Sequence, residues 1–495
     1  MAISFDTIPG PGTLRLPGVY SEVDNSQAIT GPQSIQFRRL VLGQMLATGA
    51  AEPLTLIRVT SPTQGDTLFG RGSMLAGMIR AALTQDSYTE LQVMALEDDA
   101  AAAAATGTIV FGGAATAAGA INLMIAGRRV RVGVASGATP ATVAAAVAAA
   151  INAIPTNPDM DLPVTATVLT STVTITARNK GEAGNGIDIR LNYYTGEETA
   201  PGITAVVTGM SGGVANPDIS DAMAALGDAW LQTWAMPYTD TANLVVLEGE
   251  LSDRFQWDRE IEAHAFAAFD GTQGQLGTLG DSRNSPHLDI VMATAEPMPA
   301  YEKAAESMAI AAYYLAIDPA RPVQTLEYKW CLPAAEADRL TNEERNLLLF
   351  DGIATTYVDA GGIMRTERMI TTYKTSANGA SDASYLDVET LFTLMYIRHD
   401  WRDYVKRKYP RHKLANDGTR YGEGQAVVTP KVMKAEAVVK AREWEELALV
   451  ENIDAFKANL ISERNASDPN RLDMLLPPDL VNQLRIVANK IQFRL

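Results

Sequence analysis

The sequence predicts a multidomain protein of mixed α+β and α/β class, with an α/β body, an inserted and mainly antiparallel α+β domain, and extended strand arms at both ends. Three observations support this fold class. The chain has 495 residues, which is too long for one ordinary core and indicates two to four domains. Its composition changes at the acidic, alanine-rich run Glu97–Ala105 and again at Gly209–Gly213. Beyond Asn216, helical patterns alternate with short apolar runs, as in an α/β layer.

Composition and charge limit the classes of protein to which the chain can belong. Hydrophobic residues make up 47% and charged residues 20% of the sequence, as in a globular protein. The formal net charge of −17 argues against a nucleic-acid-binding protein, which needs a basic face to displace counterions from phosphate. Met1–Gly10 lacks the features of a signal peptide, and no apolar run is long enough for membrane insertion. Cys331 is the only cysteine, which suits folding in a reducing cytoplasm.

Residues 1–45 are predicted to form an N-terminal arm. Prolines and glycines interrupt its first part, and only a short strand, Val19–Asp24, follows. The first part of the body is assigned to residues 46–96. Within it, apolar residues at helical spacing predict a helix over Arg71–Leu83, and a continuous apolar run predicts a buried strand over Leu91–Leu96.

Residues 97–215 are predicted to form the inserted domain. Alternating apolar residues in Ile121–Ile125 and Val130–Val134 indicate a hairpin. Thr139 and Pro140 have the chemistry of a helix N-cap and a first-turn proline, and an alanine-rich helix is expected to follow them. Further alternating strands are predicted at Val164–Val168, Val173–Ala177 and Ile187–Leu191.

The second part of the body is assigned to residues 216–385. A short apolar run at Leu288–Ala293 precedes a helical pattern over Pro299–Ile317, which is the alternation expected of an α/β layer. Thr341 and Glu344 form the pattern of a capping box, in which each side chain satisfies a free backbone amide of the other residue.

A C-terminal inner domain is assigned to residues 386–476. Thr429 and Pro430 predict the start of a helix, on which Glu436 and Lys440 have the spacing of an ion pair. A further helical face is predicted to contain Ile453, Phe456 and Leu460.

Residues 477–495 are predicted to be a C-terminal strand arm. Pro477 and Pro478 interrupt the chain, and apolar residues then alternate over Leu484–Leu495, with a one-residue slip at Asn489 and Lys490. A strand at the extreme end of a chain, just after a proline break, can leave its own domain and add to a sheet elsewhere.

The sequence contains no recognisable catalytic or cofactor-binding pattern. The four histidines do not have metal-ligand spacing on a helix. They are His264, His287, His399 and His412. No phosphate-binding loop is present, and no GxSxG stands in the strand–turn–helix context that the nucleophile elbow of a hydrolase requires. We therefore expect no metal, no cofactor and no enzyme activity.

One segment of this acidic chain is strongly basic. Between Arg398 and Lys434 there are ten basic and four acidic residues. A local excess of positive charge in an acidic protein suggests a partner of opposite charge. The alternative interpretation is a solvated loop that binds nothing.

Two motifs resemble those of contractile-tail sheath proteins. The run Leu340–Ile353 resembles the LTxxExxxLxxxGI stretch of that family, and Pro17-Gly18-Val19-Tyr20 is similar to the PGVY segment of its N-terminal arm. The inserted domain resembles the variable outer domain of sheaths, and the order of parts is closest to the sheaths of Mu-like phages. The chain differs from many sheaths at Leu386–Thr390, where they carry an Asn-Val-Arg-Arg-type segment.

The resemblance implies a structural function. In that family, hexameric rings stack helically around a tail-tube protein, and the sheath contracts to drive the tube through the host envelope during genome delivery. The implied partners are further copies of the chain, the tail tube protein, and the baseplate and tail terminator proteins. The protein would belong to the tail of the virion after assembly in the host cytoplasm.

The resemblance also implies two sets of site residues. The terminal arms of sheaths add strands to the sheets of neighbouring subunits. The strand-exchange residues implied here are Val19, Tyr20, Glu22, Val23, Ile486, Ile491, Phe493 and Leu495. The basic segment is assigned to the tail tube, because many weak ion pairs can hold a partner and still release together. The residues assigned to this contact are Arg402, Lys406, Arg407, Lys408, Arg411 and Lys413.

Two other kinds of protein remain as alternatives. A static tube or capsid protein would also polymerise, but it would not need loose arms at both ends. An α/β enzyme of flavodoxin-like appearance is suggested by residues 216–320, although the missing phosphate loop argues against it.

Overall fold

The structure, a computed structural model, describes residues 37–494. The body begins with three strands and two helices. They are β1 (Arg38–Gln44), β2 (Leu56–Val59), α1 (Pro62–Phe69), α2 (Met74–Gln85) and β3 (Glu90–Leu96). The helix predicted over Arg71–Leu83 is confirmed with a later start, because the Ser73 side chain caps it by accepting a hydrogen bond from the amide of Ala76.

The next part of the chain forms a unit with its own hydrophobic core. Its elements are β4 (Thr106–Gly113), β5 (Gly119–Ile125), β6 (Arg128–Val134), α3 (Pro140–Asn152), β7 (Val164–Leu169), β8 (Thr172–Ala177), β9 (Ile189–Leu191) and β10 (Ile203–Ser211). Two antiparallel sheets, in the orders β10-β4-β8-β7 and β6-β5-β9, both pack against α3. The predicted hairpin, the helix capped by Thr139 and the three later strands are confirmed.

The body then continues with an alternation of helices and strands. Its elements are α4 (Ser220–Leu226), β11 (Thr233–Ala235), α5 (Thr241–Phe255), β12 (His264–Phe269), α6 (Gln273–Asp281), β13 (Leu288–Met292), α7 (Ala300–Ile317), α8 (Asn342–Phe350), β14 (Thr355–Val358), β15 (Met364–Arg368) and α9 (Val388–Lys408). The capping box predicted at Thr341 and Glu344 is present at the start of α8. These elements complete the body around one central sheet.

The central sheet has six strands in the order β13-β12-β11-β1-β3-β2, and every neighbouring pair is parallel except β2 with β3. Its middle strand β1 lies within residues 1–45, which the sequence assigned to the N-terminal arm. The body therefore starts at least as early as Arg38, because Leu40, Val41 and Leu42 are completely buried between parallel neighbours. The other predicted domain boundaries stay predictions.

The inserted unit is joined to the body by buried polar contacts around Arg128. This side chain is 3% exposed and binds Glu302 of α7, with 2.7 Å between its Nη2 and the Oε1 of the carboxylate. Trp330 donates its indole N–H to the other oxygen of Glu302 at 2.6 Å, and the guanidinium carbon lies 5.3 Å from the centre of the Trp330 ring. The guanidinium also donates to the carbonyl of Ala126, while its Nε has no hydrogen-bond partner among residues 37–494. Breaking a pair that is buried this deeply would leave an uncompensated charge on Glu302.

The hairpin turn beside Arg128 approaches the body closely. Ala126 and Gly127 both have positive φ, at 49° and 73°. A β-carbon built on Gly127 would lie 1.7 Å from the sulfur of Met298. Only glycine therefore allows the turn to approach the body and place Arg128 against α7.

The C-terminal part adds a third core. Its elements are β16 (Lys413–Leu414), β17 (Val427–Val428), α10 (Pro430–Glu446), β18 (Val450–Glu451), α11 (Ile453–Asn459), β19 (Ile461–Arg464), β20 (Leu472–Leu475) and β21 (Asp479–Leu480). The predicted apolar face of Ile453, Phe456 and Leu460 is buried, and Thr429 caps α10 as expected. Helix α9 connects the two regions, since Phe392 packs in the body core and Ile397 in the C-terminal core.

The ion pair predicted between Glu436 and Lys440 is wrong. Lys440 instead binds Asp400 of α9 at 2.7 Å, and Trp444 donates a hydrogen bond to the same carboxylate at 2.7 Å. Glu436 binds Lys408 at 2.8 Å. Packing of α9 against α10 brings these groups together, so that Lys440 and Glu436 each bind a partner on α9, and Lys440 also binds Glu443 of its own helix at 2.5 Å.

Candidate assembly interface

The C-terminal segment begins as part of its own subunit. After Pro478, β21 pairs antiparallel with β18, and Asn452 donates a hydrogen bond to Asp479 at 2.6 Å. The amide of Val481 then donates to the carbonyl of Leu449 at 3.2 Å. Part of the predicted arm, which was assigned to residues 477–495, is therefore held on the C-terminal core.

Beyond this anchor, residues 482–494 form no β-ladder with any other part of residues 37–494. Large apolar side chains nevertheless point to solvent, with exposed fractions of 85% at Ile486, 91% at Ile491 and 77% at Phe493. Leu484 and Val487 are also exposed. A segment of alternating and exposed apolar residues, with no backbone hydrogen bond to the rest of the described chain, is typical of a strand that binds another protein.

Arg485 is the exception in this exposed segment. Its guanidinium donates to Glu389 at 2.8 Å, to Asp387 at 3.1 Å and to Gln324 at 3.1 Å. Among residues 482–494, it is the one residue with a side-chain hydrogen bond or ion pair to the rest of the described chain. The sequence analysis did not identify Arg485. Two signals were visible in the sequence: the arginine stands among apolar residues, and Leu386–Thr390 carries acidic residues where many sheaths carry arginines.

The basic segment divides into residues that bind their own subunit and residues that face solvent. Arg402 belongs to the first group, because it contacts Glu260 at 2.6 Å, its guanidinium lies 5.9 Å from the centre of the Trp230 ring, and its side chain is only 23% exposed. Lys408 also belongs there, since it hydrogen-bonds Tyr404 and Glu436 at 2.8 Å. Partial burial lowers the pKa of Lys408, but the hydrogen bonds to Glu436 and Tyr404 outweigh this effect and raise the pKa above its ordinary value.

The remaining basic residues are accessible. Arg407 pairs with Asp403 on the same helix at 2.7 Å, and Lys413 contacts only the amide oxygen of Gln425 at 2.9 Å. Within residues 37–494, no carboxylate lies at ion-pair distance from Lys406 or Arg411, and both side chains are exposed. The structure thus leaves four of the six predicted residues available to a partner. They are Lys406, Arg407, Arg411 and Lys413.

The other predicted strand-exchange residues lie outside the described part of the chain. Val19, Tyr20, Glu22 and Val23 precede Phe37, where the described residues begin, and Leu495 follows them. Their assignment stays a prediction.

Neither a metal-binding group of side chains nor a membrane-spanning helix is found among the described residues. From residue 37 to residue 494, no group of three or more His, Cys, Asp or Glu side chains could hold a metal. In the same range no helix has the length and apolar character needed to cross a bilayer. His264 and His287 lie in the core, where burial lowers the pKa of His264 well below its ordinary value and that of His287 to about 4. Both imidazoles are therefore neutral at physiological pH.

Comparison with known proteins identifies the family. The model of the phage tail sheath protein central domain matches residues 212–372, and that of the phage tail sheath C-terminal domain matches residues 380–494. The chain is 43% identical over 493 residues to the Mu-like prophage FluMu tail sheath protein of Haemophilus influenzae, and the match covers 100% of both chains. The chain belongs to the phage tail sheath family.

Solved structures of sheath proteins are similar to this tail sheath protein. A sheath tail protein from Desulfitobacterium hafniense is 14% identical, with a TM-score of 0.50 over 94% of this chain and 97% of the other. A chain of the contracted helical sheath of the anti-feeding prophage is 11% identical, with a TM-score of 0.48 over 97% and 99% of the two chains.

Membership of the family decides between the alternatives. The chain is a tail sheath protein, which makes it a structural component of a phage-like particle and not an enzyme. The mixed α/β class and the resemblance to Mu-like sheaths are confirmed. The alternatives of a static tube or capsid protein and of a cofactor-binding enzyme are therefore set aside.

Proposed function

We propose that this sheath protein polymerises as stacked hexameric rings around a tail tube, and that contraction of the polymer drives the tube through the host envelope during genome delivery. The observation that carries the proposal is the exposed apolar segment at residues 486–494, in a subunit with a net charge of −17. Charge repulsion keeps free subunits soluble. Burial of the exposed apolar segment against a neighbouring subunit favours their association.

The terminal arms connect the subunits by adding strands to sheets of their neighbours. The exposed Ile486, Ile491 and Phe493 supply side chains for such a strand, and its backbone supplies hydrogen bonds. The C-terminal core presents an acceptor, because β19 and β20 form a two-stranded sheet in which no third strand from residues 37–494 pairs with either outer edge. Exchange from one subunit to the next is head-to-tail, so it generates an open helical assembly and not a closed dimer.

Contraction is a switch between two packings of the same subunit surfaces, of which the contracted packing has the lower free energy. Flexible arms keep neighbours connected while these surfaces rearrange. The baseplate and tail terminator proteins cap the two ends of the polymer, which assembles in the host cytoplasm. No nucleotide takes part, in agreement with the absence of a phosphate-binding loop from the sequence.

Imaging of the purified protein tests polymerisation. We expect the full-length chain to form hollow tubes with sixfold end views in negative stain, because the arms are sufficient to join subunits without other tail proteins. Closed particles of a single size, or monomers at all concentrations, would contradict the proposal.

The exposed basic residues at the end of α9 are proposed to face the tail tube. Changing Lys406, Arg407 and Arg411 to Gln should weaken assembly on tubes, most clearly at raised salt, while sheath-only polymers still form. Each exposed pair contributes roughly 0.2–1 kcal/mol, so the three changes together should produce a measurable loss. Because salt screens the pairs that remain, the variant should leave the tubes at a lower salt concentration than the wild type. Cosedimentation with purified tubes across a salt series measures the effect.

The matched control removes three positive charges from other surfaces. Arg58, Arg131 and Lys180 are exposed residues of the body and the inserted unit, and their replacement by Gln should leave tube binding unchanged. If both triple variants bind tubes as the wild type does, the basic residues of α9 form only a solvated surface.

A further inference from the structure

Three groups on the body and α9 form a socket for the guanidinium of Arg485. Gln324 lies in the loop after α7, Asp387 precedes α9, and Glu389 is in the first turn of that helix. The Glu389 side chain is completely buried, whereas that of Arg485 is 13% exposed. The arginine therefore reaches from an exposed segment into the junction between the body and the C-terminal core.

The carboxylates of this socket are held in place by groups other than Arg485. The amide of Val323 donates to Glu389 at 2.6 Å, and Arg368 binds Asp387 through two hydrogen bonds of 2.9 Å each. A helix N-terminus also favours negative charge at these positions. The socket is thus preorganised, and little ordering of its side chains is needed when a guanidinium enters.

The bond from Arg485 to Glu389 is stronger than an ordinary surface ion pair. Burial raises the pKa of Glu389, while Arg485 opposes this shift. A buried carboxylate that loses its partner keeps its desolvation cost without compensation. Release of the arginine is therefore unfavourable, in contrast to release of an exposed pair, which costs little.

We infer that Arg485 is the latch of the C-terminal arm: it holds the root of the arm on its own subunit and so sets how far residues 486–494 reach toward a neighbour. The inference deepens the proposed function, because it rests on the arm joining subunits. With the latch closed, the free arm spans about 30 Å when extended, at roughly 3.3 Å per residue. With the latch open, the free segment starts after Val481 and spans about 43 Å, so its end explores a larger volume and meets one acceptor edge less often.

A label on the free subunit tests the latch without any assembly. Val487, which is exposed, is changed to Cys in a Cys331→Ala background and carries a nitroxide spin label; Cys331 is buried. The label should be restrained in the wild-type background and should become as mobile as a label at Phe493 when Arg485 is changed to Ala. Equal mobility of the Val487 label with and without Arg485 would overturn the inference.

A second variant distinguishes release of the arm from a general loss of subunit stability. Changing Glu389 to Gln together with Arg485 to Ala removes the uncompensated buried charge, so the fold should recover while the arm stays mobile. The control variant changes Arg494, an exposed arginine of the same arm, to Ala and should leave label mobility unchanged.

Assembly provides the second readout. Opening the latch should raise the critical concentration for polymerisation by about twofold, because a free segment of thirteen residues instead of nine lowers its effective concentration at an acceptor edge by roughly the 3/2 power of its length. An unchanged critical concentration of the double variant would overturn the role of the latch in setting reach. Deletion of residues 491–495 tests the proposed function separately from the latch. Normal tubes from that truncated chain would show that the arm does not join subunits at all.

Discussion

Deletion of Ile491–Leu495 is expected to abolish polymerisation and to leave a folded, soluble subunit. Ile491 and Phe493 are exposed and make no hydrogen bond to the rest of the described chain. Their loss therefore removes nothing from the cores of the subunit. It removes the apolar side chains and the backbone groups that a neighbouring sheet would bind, so the critical concentration for tubes should rise beyond the measurable range.

Sedimentation and negative-stain imaging measure polymerisation, and the thermal unfolding midpoint reports on the subunit. A finer variant changes Ile491 and Phe493 to Asp, which should have the same effect as the deletion. Its control changes Lys490 and Gln492 to Ala, because residues at alternate positions of a strand lie on the opposite face and the backbone hydrogen bonds survive. Regular tubes from the truncated chain would show that the arm is not an inter-subunit element.

The Arg128→Ala change is expected to cause the largest loss of subunit stability. It leaves the buried carboxylate of Glu302 without its cation and removes the guanidinium that stacks on Trp330. Breaking a buried ion pair in this way typically costs about 3–5 kcal/mol. Because Arg128 joins the inserted unit to α7, we expect that unit to separate from the body at a lower urea concentration than in the wild type.

The neighbouring Arg129 is the matched control for this change. It pairs with Glu197 at 2.5 Å, but its side chain is 42% exposed. Its replacement by Ala should therefore cost no more than about 1 kcal/mol. Urea unfolding curves of the two variants measure the difference, and equal midpoints would show that water reaches Glu302 and that the pair does not hold the inserted unit.

Predictions from the sequence succeeded where a few neighbouring residues decide the structure. The caps at Thr139, Thr341 and Thr429 are present because a threonine side chain and the amide that it binds lie three residues apart. The hairpin of β5 and β6 was predicted for the same reason, since its alternation and its turn lie within one short stretch.

Strand β1 shows why other parts of the fold could not be predicted. The run Arg38–Gln44 follows a segment rich in proline and glycine, so the sequence assigned it to the arm. Its partners β3 and β11 lie far away along the chain, and β1 is central only because both pair with it. A buried parallel strand is recognised by its neighbours more than by its own pattern.

The sequence by itself determined the apolar alternation of the C-terminal arm, the basic excess after Arg398 and the motifs of the sheath family, because each is a property of consecutive residues. Tertiary structure alone decided which charges are available to a partner. Lys440 binds Asp400, Lys408 binds Glu436 and Arg485 binds Glu389, each across elements that are distant in sequence. The physical reason is that an ion pair forms only when the two charged groups lie within about 4 Å of each other. Packing of the helices decides which opposite charges come that close.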